Sequence, residues 1–172
     1  KTLNSDVVLS ILQNKEDEIW LGTWTNGITI FNTKTKKFKE LNTENSFLNS
    51  NIIVDFLKDK RGRIWIINYF AGVQVFDAET NTHENIKLIS DIDGAEVKSI
   101  YKIFEDKQGH IWIGTLNSGL FKLTKDENHW ISKHYSTSNS LSNNFVNTII
   151  QDSEGTIWVG TQGGLNKYNS ES

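Results

Sequence analysis

The phrase Ile111-Trp112-Ile113-Gly114-Thr115 occurs four times along the chain with small changes. The tryptophans of successive copies lie 45, 47 and 46 residues apart. A fixed period of this length is typical of a repeat protein, in which each copy forms one unit of the fold. The other copies are Ile19-Trp20-Leu21-Gly22-Thr23, Ile64-Trp65-Ile66-Ile67-Asn68 and Ile157-Trp158-Val159-Gly160-Thr161.

Further segments flank each phrase at similar distances. An apolar run precedes it, and a segment that begins with Gly follows it, as in Gly119-Leu120-Phe121-Lys122-Leu123. A more polar segment comes next in three repeats, at residues 37–41, 82–86 and 130–135. The segments are rich in β-branched, aromatic and aliphatic residues and are separated by Asn, Asp, Gly and Ser. This composition indicates short β-strands joined by turns.

Four short strands in a repeat of roughly 46 residues are typical of a β-propeller blade, which is a four-stranded antiparallel meander. We therefore predict an all-β fold, a partial β-propeller of about four blades that forms a single domain over residues 1–172. The last blade is expected to be incomplete, because its fourth strand is not reached. The predicted blade repeats are 1–45, 46–91, 92–138 and 139–172.

The strand that carries the phrase is apolar on both faces. Ile111 and Ile113 point to one face while Trp112 and Gly114 point to the other. Both faces are therefore expected to be buried between neighbouring blades, with the Trp ring in the space that the missing Gly side chain leaves. Ile67 replaces this Gly in the second repeat, where we expect altered packing. The tryptophans assigned to the blade core are Trp20, Trp65, Trp112 and Trp158.

Composition excludes several classes of function. The chain has 18 Lys and Arg against 21 Asp and Glu, a net charge of −3, and the signs are interspersed. This pattern argues against binding to nucleic acid or to an anionic membrane. No apolar run approaches the roughly 20 residues that cross a bilayer, and the start lacks the pattern of a signal peptide. The absence of Cys excludes disulfides and thiolate chemistry, and the absence of Met predicts a processed chain or a piece of a longer protein.

The run from Leu141-Ser142-Asn143-Asn144 to Tyr168 joins an Asn-rich turn, an apolar strand, the pattern Asp-x-x-Gly-x-Ile-Trp and a Gly-Leu step. With its three looser copies, this run resembles the two-component regulator propeller repeat. The resemblance implies the extracytoplasmic, periplasmic sensor region of a hybrid histidine kinase, of the kind that senses breakdown products of polysaccharides. It implies recognition without catalysis, since no kinase, phosphoacceptor or DNA-binding segment is recognisable.

A meander places its connections on two opposite faces. The connections between the first and second strands are short turns that contain Gly, and we interpret their face, here called the turn face, as structural. The opposite face, here called the loop face, carries the connections between the second and third strands and those between blades. These connections differ from repeat to repeat on a constant scaffold, which is where binding commonly occurs.

The loop face offers the chemistry that an oligosaccharide or related small ligand needs. Aromatic rings suit stacking on pyranose faces, and amides and hydroxyls suit hydrogen bonds to sugar hydroxyl groups. For each residue taken alone, the competing interpretation is that it covers loop backbone or stabilises a turn. The candidate ligand-binding residues are Trp24, Asn26, Asn68, Tyr69, Phe70, Asn117, Ser118 and Gln162.

No metal or other cofactor is expected. The four His residues are scattered, and no pair has the spacing of a zinc site. Asp59, Asp106 and Asp152 each stand alone at a hairpin entry, where capping of the turn is favoured over calcium binding. Gly163-Gly164 has neither the Lys nor the helix of a phosphate-binding loop.

Two other functions remain open. One is a propeller lyase of the streptogramin-lyase type, which uses a His base with a divalent metal, although no His lies between a second and a third strand here. The other is a protein-interaction propeller, although the phrases of WD40 and kelch repeats do not recur. Apolar faces at the open blade edges also predict a homo-oligomer, most simply a twofold dimer.

Overall fold

The computed structural model describes residues 7–126 and 129–168. The regular secondary structure in these residues consists of β-strands. They form four antiparallel sheets with the strand orders β1-β2-β3-β4, β5-β6-β7-β8, β12-β11-β10-β9 and β13-β14-β15. The all-β fold of meander blades, with three strands in the last blade, is confirmed. The strands are β1 (Val8–Lys15), β2 (Glu18–Thr23), β3 (Ile28–Asn32), β4 (Phe38–Leu41), β5 (Ile53–Lys58), β6 (Ile64–Asn68), β7 (Gly72–Asp77), β8 (Thr82–Ile86), β9 (Ile100–Glu105), β10 (Ile111–Thr115), β11 (Leu120–Asp126), β12 (His129–Tyr135), β13 (Val146–Gln151), β14 (Ile157–Thr161) and β15 (Gly164–Tyr168).

The described residues divide into two compact units between Asn85 and Ile86. The N-terminal blade pair (residues 7–85) holds the first two sheets apart from the last residue of β8. The C-terminal blade pair (residues 86–126 and 129–168) holds the other two sheets. That the chain forms a single domain stays a prediction. In the part of the chain that the structure describes, no helix has the length and apolar character needed to span a membrane.

The strands that carry the repeated phrase, β2, β6, β10 and β14, each have a paired strand on both sides in their sheets. Every residue of β6 and of β10 is buried, which confirms the expected burial of both faces in the second and third blades, whereas β2 and β14 are partly buried. The outer strand β8 is exposed at its first four residues. Because the outermost strand of a blade has a neighbour on one side alone, polar side chains there meet water and discourage pairing with other chains.

Each Gly of the phrase allows a neighbouring strand to approach closely. A Cβ atom added at Gly114 would lie 2.6 Å from Cγ1 of Val146, the first residue of β13 in the next blade. A Cβ atom at Gly22 would lie 2.9 Å from the carbonyl oxygen of Ile53, the first residue of β5. The prediction that the Trp ring takes this space is therefore wrong: a strand of the adjacent blade lies there at Gly22 and Gly114, and Thr148 of the same blade lies there at Gly160. Ile67, at the same position in the second blade, is fully buried.

The turns between first and second strands match their prediction. Gly62, Gly109 and Gly155 have φ values of 83°, 85° and 91°, the left-handed region that Gly adopts without strain. In the third blade, Oδ1 of Asp106 accepts hydrogen bonds from the backbone N–H groups of Gln108 at 3.0 Å and His110 at 2.9 Å. The interpretation of these Asp residues as turn caps is confirmed.

The capping carboxylate also binds the repeated Trp. Nε1 of Trp112 donates to Oδ2 of Asp106 at 2.8 Å, and the second and fourth blades repeat this bond at 2.9 and 2.7 Å. The first blade has Asn14 in place of the Asp. There the indole of Trp20 donates to Oε1 of Glu18 at 2.7 Å, and Nδ2 of Asn14 donates to the same oxygen at 2.8 Å. In every blade, therefore, the indole N–H of the repeated Trp donates to a carboxylate in or beside the turn.

Candidate functional site

Three aromatic side chains meet on the loop face of the N-terminal blade pair. Trp24 follows β2, and Tyr69 and Phe70 follow β6. Because β2 and β6 are the second strands of their blades, these residues lie at the same end of the two blades. The ring centroids of Trp24 and Tyr69 are 5.5 Å apart, and those of Tyr69 and Phe70 are 4.3 Å apart in an edge-to-face arrangement. We call these three residues the aromatic cluster.

Two rings of the aromatic cluster are exposed, and backbone hydrogen bonds connect its loops to neighbouring segments. Trp24 is 42% exposed and Phe70 is 58% exposed. The backbone N–H of Trp24 donates to the carbonyl of Val7 at 3.2 Å, and that of Tyr69 donates to the carbonyl of Ile52 at 2.9 Å. A contiguous apolar patch on a fixed backbone is a common mark of an interaction site.

Phe70 adopts an unusual backbone conformation. Its φ is 52°, in the left-handed region that a bulky residue without special support avoids. The turn is closed by a hydrogen bond from the N–H of Ala71 to the carbonyl of Asn68 at 3.1 Å. Strain of this kind is concentrated at functional sites, where it sets the direction of a side chain. Here it directs an aromatic ring into solvent.

The two Asn candidates of this blade pair differ in position. Asn26 is half-buried, and its backbone N–H donates to Oγ1 of Thr23 at 3.0 Å. Asn68 is fully buried, and its Nδ2 donates to the carbonyl of Ile66 at 3.3 Å, while its Oδ1 has no hydrogen-bond partner among the described residues. Asn68 is the last residue of β6 and lies beneath the loop. The other blades have a Thr at this position, and each of these Thr residues is buried as well. Asn68 is thus fully buried under the loop and is not exposed on its surface, and contact between Asn68 and a ligand stays a prediction.

The predicted residues of the C-terminal blade pair are polar and lie at the loop face. Oδ1 of Asn117 accepts hydrogen bonds from the hydroxyls of Ser99 at 2.5 Å and Ser118 at 3.1 Å. Gln162 is exposed, and its backbone N–H donates to the carbonyl of Phe145 at 3.1 Å. Asn117 therefore has a role in holding its own loop, whereas the Gln162 side chain faces solvent.

His134 supports the same loop from below, a role that the sequence analysis missed. It is buried on β12, and its Nδ1 accepts a hydrogen bond from the backbone N–H of Asp91 at 3.1 Å. Nε2 must then carry the proton, and it donates to the carbonyl of Ser118 at 2.5 Å. Its ring also stacks on Phe121 with a centroid distance of 4.3 Å. Both nitrogens are occupied, so this His is a structural strut.

No group of three or more His, Asp or Glu side chains suited to hold a metal ion occurs in residues 7–126 and 129–168. The carboxylates of the turns instead bind protein donors. Burial acts to raise the pKa of Asp106, but hydrogen bonds from the Trp112 indole and from His110 outweigh it, so this pKa lies below its usual value. The Trp158 indole likewise lowers the pKa of Asp152. These groups stay ionised at neutral pH in their structural role.

The meander blades and the strict repeat together define a partial β-propeller. The family described as two component regulator propeller matches residues 2–25, 46–70, 96–117 and 140–163, one match in each blade repeat. These matches cover more than half of the sequence. The chain belongs to the two component regulator propeller family.

Individual relatives agree with this assignment. The chain is 33% identical over 167 residues to histidine kinase P4 of Formosa agariphila, a match that covers 95% of this chain and 12% of that protein. It is 31% identical, with a TM-score of 0.80, to the extracellular domain of a protein described as a hybrid two component system of B. thetaiotaomicron, covering 99% of this chain and 22% of that one. The chain thus spans less than a quarter of either relative.

A propeller enzyme shares the fold at lower similarity. Virginiamycin B lyase of Staphylococcus aureus is 16% identical with a TM-score of 0.66, over 96% of this chain and 57% of the lyase. Identity at this level shows the common architecture alone. It transfers no activity to this chain.

Proposed function

We propose that this chain is a ligand-sensing part of a hybrid two-component signalling protein, that it lies outside the cytoplasm in the periplasm, and that it recognises an oligosaccharide on its loop face. Family membership and the 33% identity to a histidine kinase support the signalling role. The similarity to an extracellular domain supports the location. Recognition without catalysis is part of the proposal; His134, which is buried beneath the loop of Ser118, has both ring nitrogens engaged in structural hydrogen bonds.

The aromatic cluster is the observation that carries the proposal for the ligand. A pyranose ring has one face of C–H groups, which pack against an aromatic ring, and hydroxyls at its rim, which need hydrogen-bond partners. Trp24, Tyr69 and Phe70 offer three touching rings on two adjacent blades. A surface of this extent suits more than one sugar unit, which favours an oligosaccharide over a monosaccharide. Asn26 lies in the same loop as Trp24 and is half-buried, so its amide is a candidate partner for sugar hydroxyls.

The proposal is tested by titration calorimetry with a panel of neutral oligosaccharides, namely cellohexaose, laminarihexaose, xylohexaose and maltohexaose. We expect at least one of them to bind, and we expect the double variant Trp24→Ala with Phe70→Ala to weaken that binding at least tenfold. Each tenfold loss corresponds to about 1.4 kcal/mol of binding free energy, which is within the range of one lost aromatic contact.

Trp130→Ala is the matched control, since Trp130 is a partly exposed Trp on β12 that contacts the Lys125 ammonium at 4.9 Å and lies outside the aromatic cluster. It is expected to bind like the unchanged chain. If the double variant binds as tightly as the unchanged chain, the aromatic cluster is not the site. If no oligosaccharide of the panel binds to folded protein, the proposed ligand class is wrong.

A further inference from the structure

A cavity of about 420 Å³ lies at the turn face of the C-terminal blade pair. The turns of the third and fourth blades form its rim, with Gln108 and His110 on one side and Glu154 on the other. Its inner wall includes Trp112, Lys122, Lys167 and Tyr168. This volume falls in the range of sites for small molecules. The interpretation of the turn face as purely structural does not account for it.

Two lysines in this wall have no acidic partner. The Lys122 ammonium lies 5.3 Å from the ring centroids of both Trp112 and Tyr168, and that of Lys167 lies 5.8 Å from the ring of Trp158. Neither ammonium forms an ion pair with any carboxylate in the described part of the chain. Lys122 is half-buried and Lys167 is exposed, and both ammonium groups lie over aromatic rings at the cavity, where an anion can reach them.

The Asp106 carboxylate, which also lines the cavity, already has several protein partners. Oδ1 of Asp106 accepts two backbone N–H groups, and its Oδ2 accepts the Trp112 indole at 2.8 Å and binds Nδ1 of His110 at 2.8 Å. These contacts hold the Asp106 carboxylate at the turn, and it forms no ion pair with Lys122 or Lys167. Glu154, the other acidic residue of the cavity, is exposed on the turn at the rim.

The N-terminal blade pair shows what the scaffold holds when this space is filled. Strand pairing places Lys122 opposite Trp112 and Ile30 opposite Trp20, so Ile30 is the counterpart of Lys122. By the same register, Val75 corresponds to Lys167. The counterpart of Tyr168 is Phe76, whose ring stacks on Trp20 with a centroid distance of 6.0 Å. Apolar side chains thus satisfy the same fold, and the lysines are not a requirement of blade packing.

The positive field acts on Tyr168. Burial tends to raise the pKa of its hydroxyl, but the adjacent Tyr135 hydroxyl and the ammonium groups of Lys122 and Lys133 outweigh burial, so this pKa lies below its usual value. A group in the cavity that carries negative charge is therefore favoured, in agreement with the geometry of the two lysines.

We propose that this cavity binds a small organic oxyanion, with its charged group at the Lys122 and Lys167 ammonium groups and its body against the Tyr168 ring. Lysines bind carboxylate and phosphate groups as point charges, so the shared chemistry is that of an oxyanion. The site is separate from the aromatic cluster and does not depend on the function proposed for it.

The test uses three probes with the same ring that differ at carbon 6, namely glucose, glucuronate and glucose 6-phosphate. We expect glucuronate or glucose 6-phosphate to bind at least tenfold more tightly than glucose, with an affinity that falls as salt is added. The comparison of the two anions shows whether a carboxylate or a phosphate is preferred. Equal binding of all three probes, or no binding of either anion to folded protein, overturns the proposal.

Variants locate the binding. Lys122→Ile and Lys167→Val place in the cavity the residues that the N-terminal pair uses, and each is expected to reduce anion affinity at least tenfold. Lys122→Gln, which keeps the length and polarity of the side chain, gives the same expected loss if the apolar variants fold poorly. Lys125→Gln is the matched control, because Lys125 also lies on β11 above a Trp ring but outside the cavity. Unchanged anion binding in Lys122→Gln contradicts the assignment of the site.

Discussion

The two blade pairs share one backbone plan and treat the space beside the repeated Trp in opposite ways. In the N-terminal pair, Phe76 stacks on Trp20, and Phe47 stacks on Phe76 with a centroid distance of 4.9 Å, so aromatic rings fill the space. In the C-terminal pair, Lys122 and Tyr168 lie beside Trp112, and a cavity opens. The difference teaches that the blade fold does not depend on the side chains at these positions. The same positions can therefore contribute either to packing or to binding.

The bond between the turn carboxylate and the indole is what both pairs keep. Asp106 binds Trp112 in one pair, and Glu18 takes that role toward Trp20 where Asn14 replaces the Asp. Since the first blade preserves the bond by a different residue, we infer that the bond itself fixes the Trp and the turn together. We call the repeated Trp residues and their turn carboxylates the shared frame, which variants can distinguish from the positions that differ between the pairs.

The largest expected effect is on the frame. Trp20→Ala and Trp112→Ala each remove a ring that is at most 2% exposed, and we expect each to lower the free energy of unfolding by about 3–5 kcal/mol. Trp24→Ala removes an exposed ring and is expected to cost less than about 1 kcal/mol. Chemical unfolding of the three variants checks this ranking. A loss from Trp112→Ala as small as that from Trp24→Ala contradicts a shared frame.

Asp106→Asn tests the carboxylate. It removes a charged acceptor that binds Trp112 and His110, with an expected loss of about 2 kcal/mol at pH 7. The pKa of Asp106 is lowered in the folded chain, so its stabilising contribution is complete above the unfolded pKa and disappears as the pH falls through the lower folded value. Unfolding at pH 7 and pH 3 should therefore show a smaller difference between variant and unchanged chain at pH 3. An equal difference at both values contradicts the role of the charge.

Phe70 offers a test of strain on the loop face. Phe70→Gly and Phe70→Ala both remove the ring, but Gly adopts the φ of 52° without a steric penalty whereas Ala does not. We expect the Gly variant to be more stable than the Ala variant by about 1 kcal/mol, with oligosaccharide binding weakened equally in both. Thermal unfolding measures the first quantity. Equal stability of the two variants shows that the backbone there is not strained.

The smallest expected effect on stability comes from replacing a cavity residue with its counterpart in the N-terminal pair. Lys122→Ile introduces the residue of the N-terminal pair, and its apolar side chain is expected to raise the free energy of unfolding by about 0.5 kcal/mol while anion binding is lost. Chemical unfolding and titration on the same sample check both parts. A clear loss of stability shows that Lys122 is needed for packing, which breaks the comparison between the pairs.

The sequence predicts most of the fold because its signals are local. Strand positions follow from the period of the Trp residues, from the alternation around them and from turn Gly residues such as Gly109. The sequence also shows the spacing of six residues between Asp106 and Trp112. The sequence analysis did not predict from this spacing that the two side chains form a hydrogen bond.

The candidate site was less predictable because it depends on contacts between distant segments. Gly114 meets Val146 of the next blade, a contact that the local pattern around Trp112 does not contain. Asn68 follows apolar residues directly, so its burial beneath the loop depends on where β6 ends. Lys122 alternates with apolar residues as any half-exposed strand residue does, so nothing local marks a cavity. The homo-oligomer expected from open blade edges stays a prediction, which sedimentation velocity would check.

Indole N–H resonances give the most direct test of the central claim, because the chain has six Trp residues and each gives one signal in a ¹H–¹⁵N spectrum. The spectrum would be followed during titration with the oligosaccharide that binds best in the panel. The account predicts that the Trp24 signal shifts while those of Trp20, Trp65, Trp112 and Trp158 stay in place, since these four are tied to turn carboxylates. A stationary Trp24 signal together with a shift in one of the four would contradict recognition at the aromatic cluster.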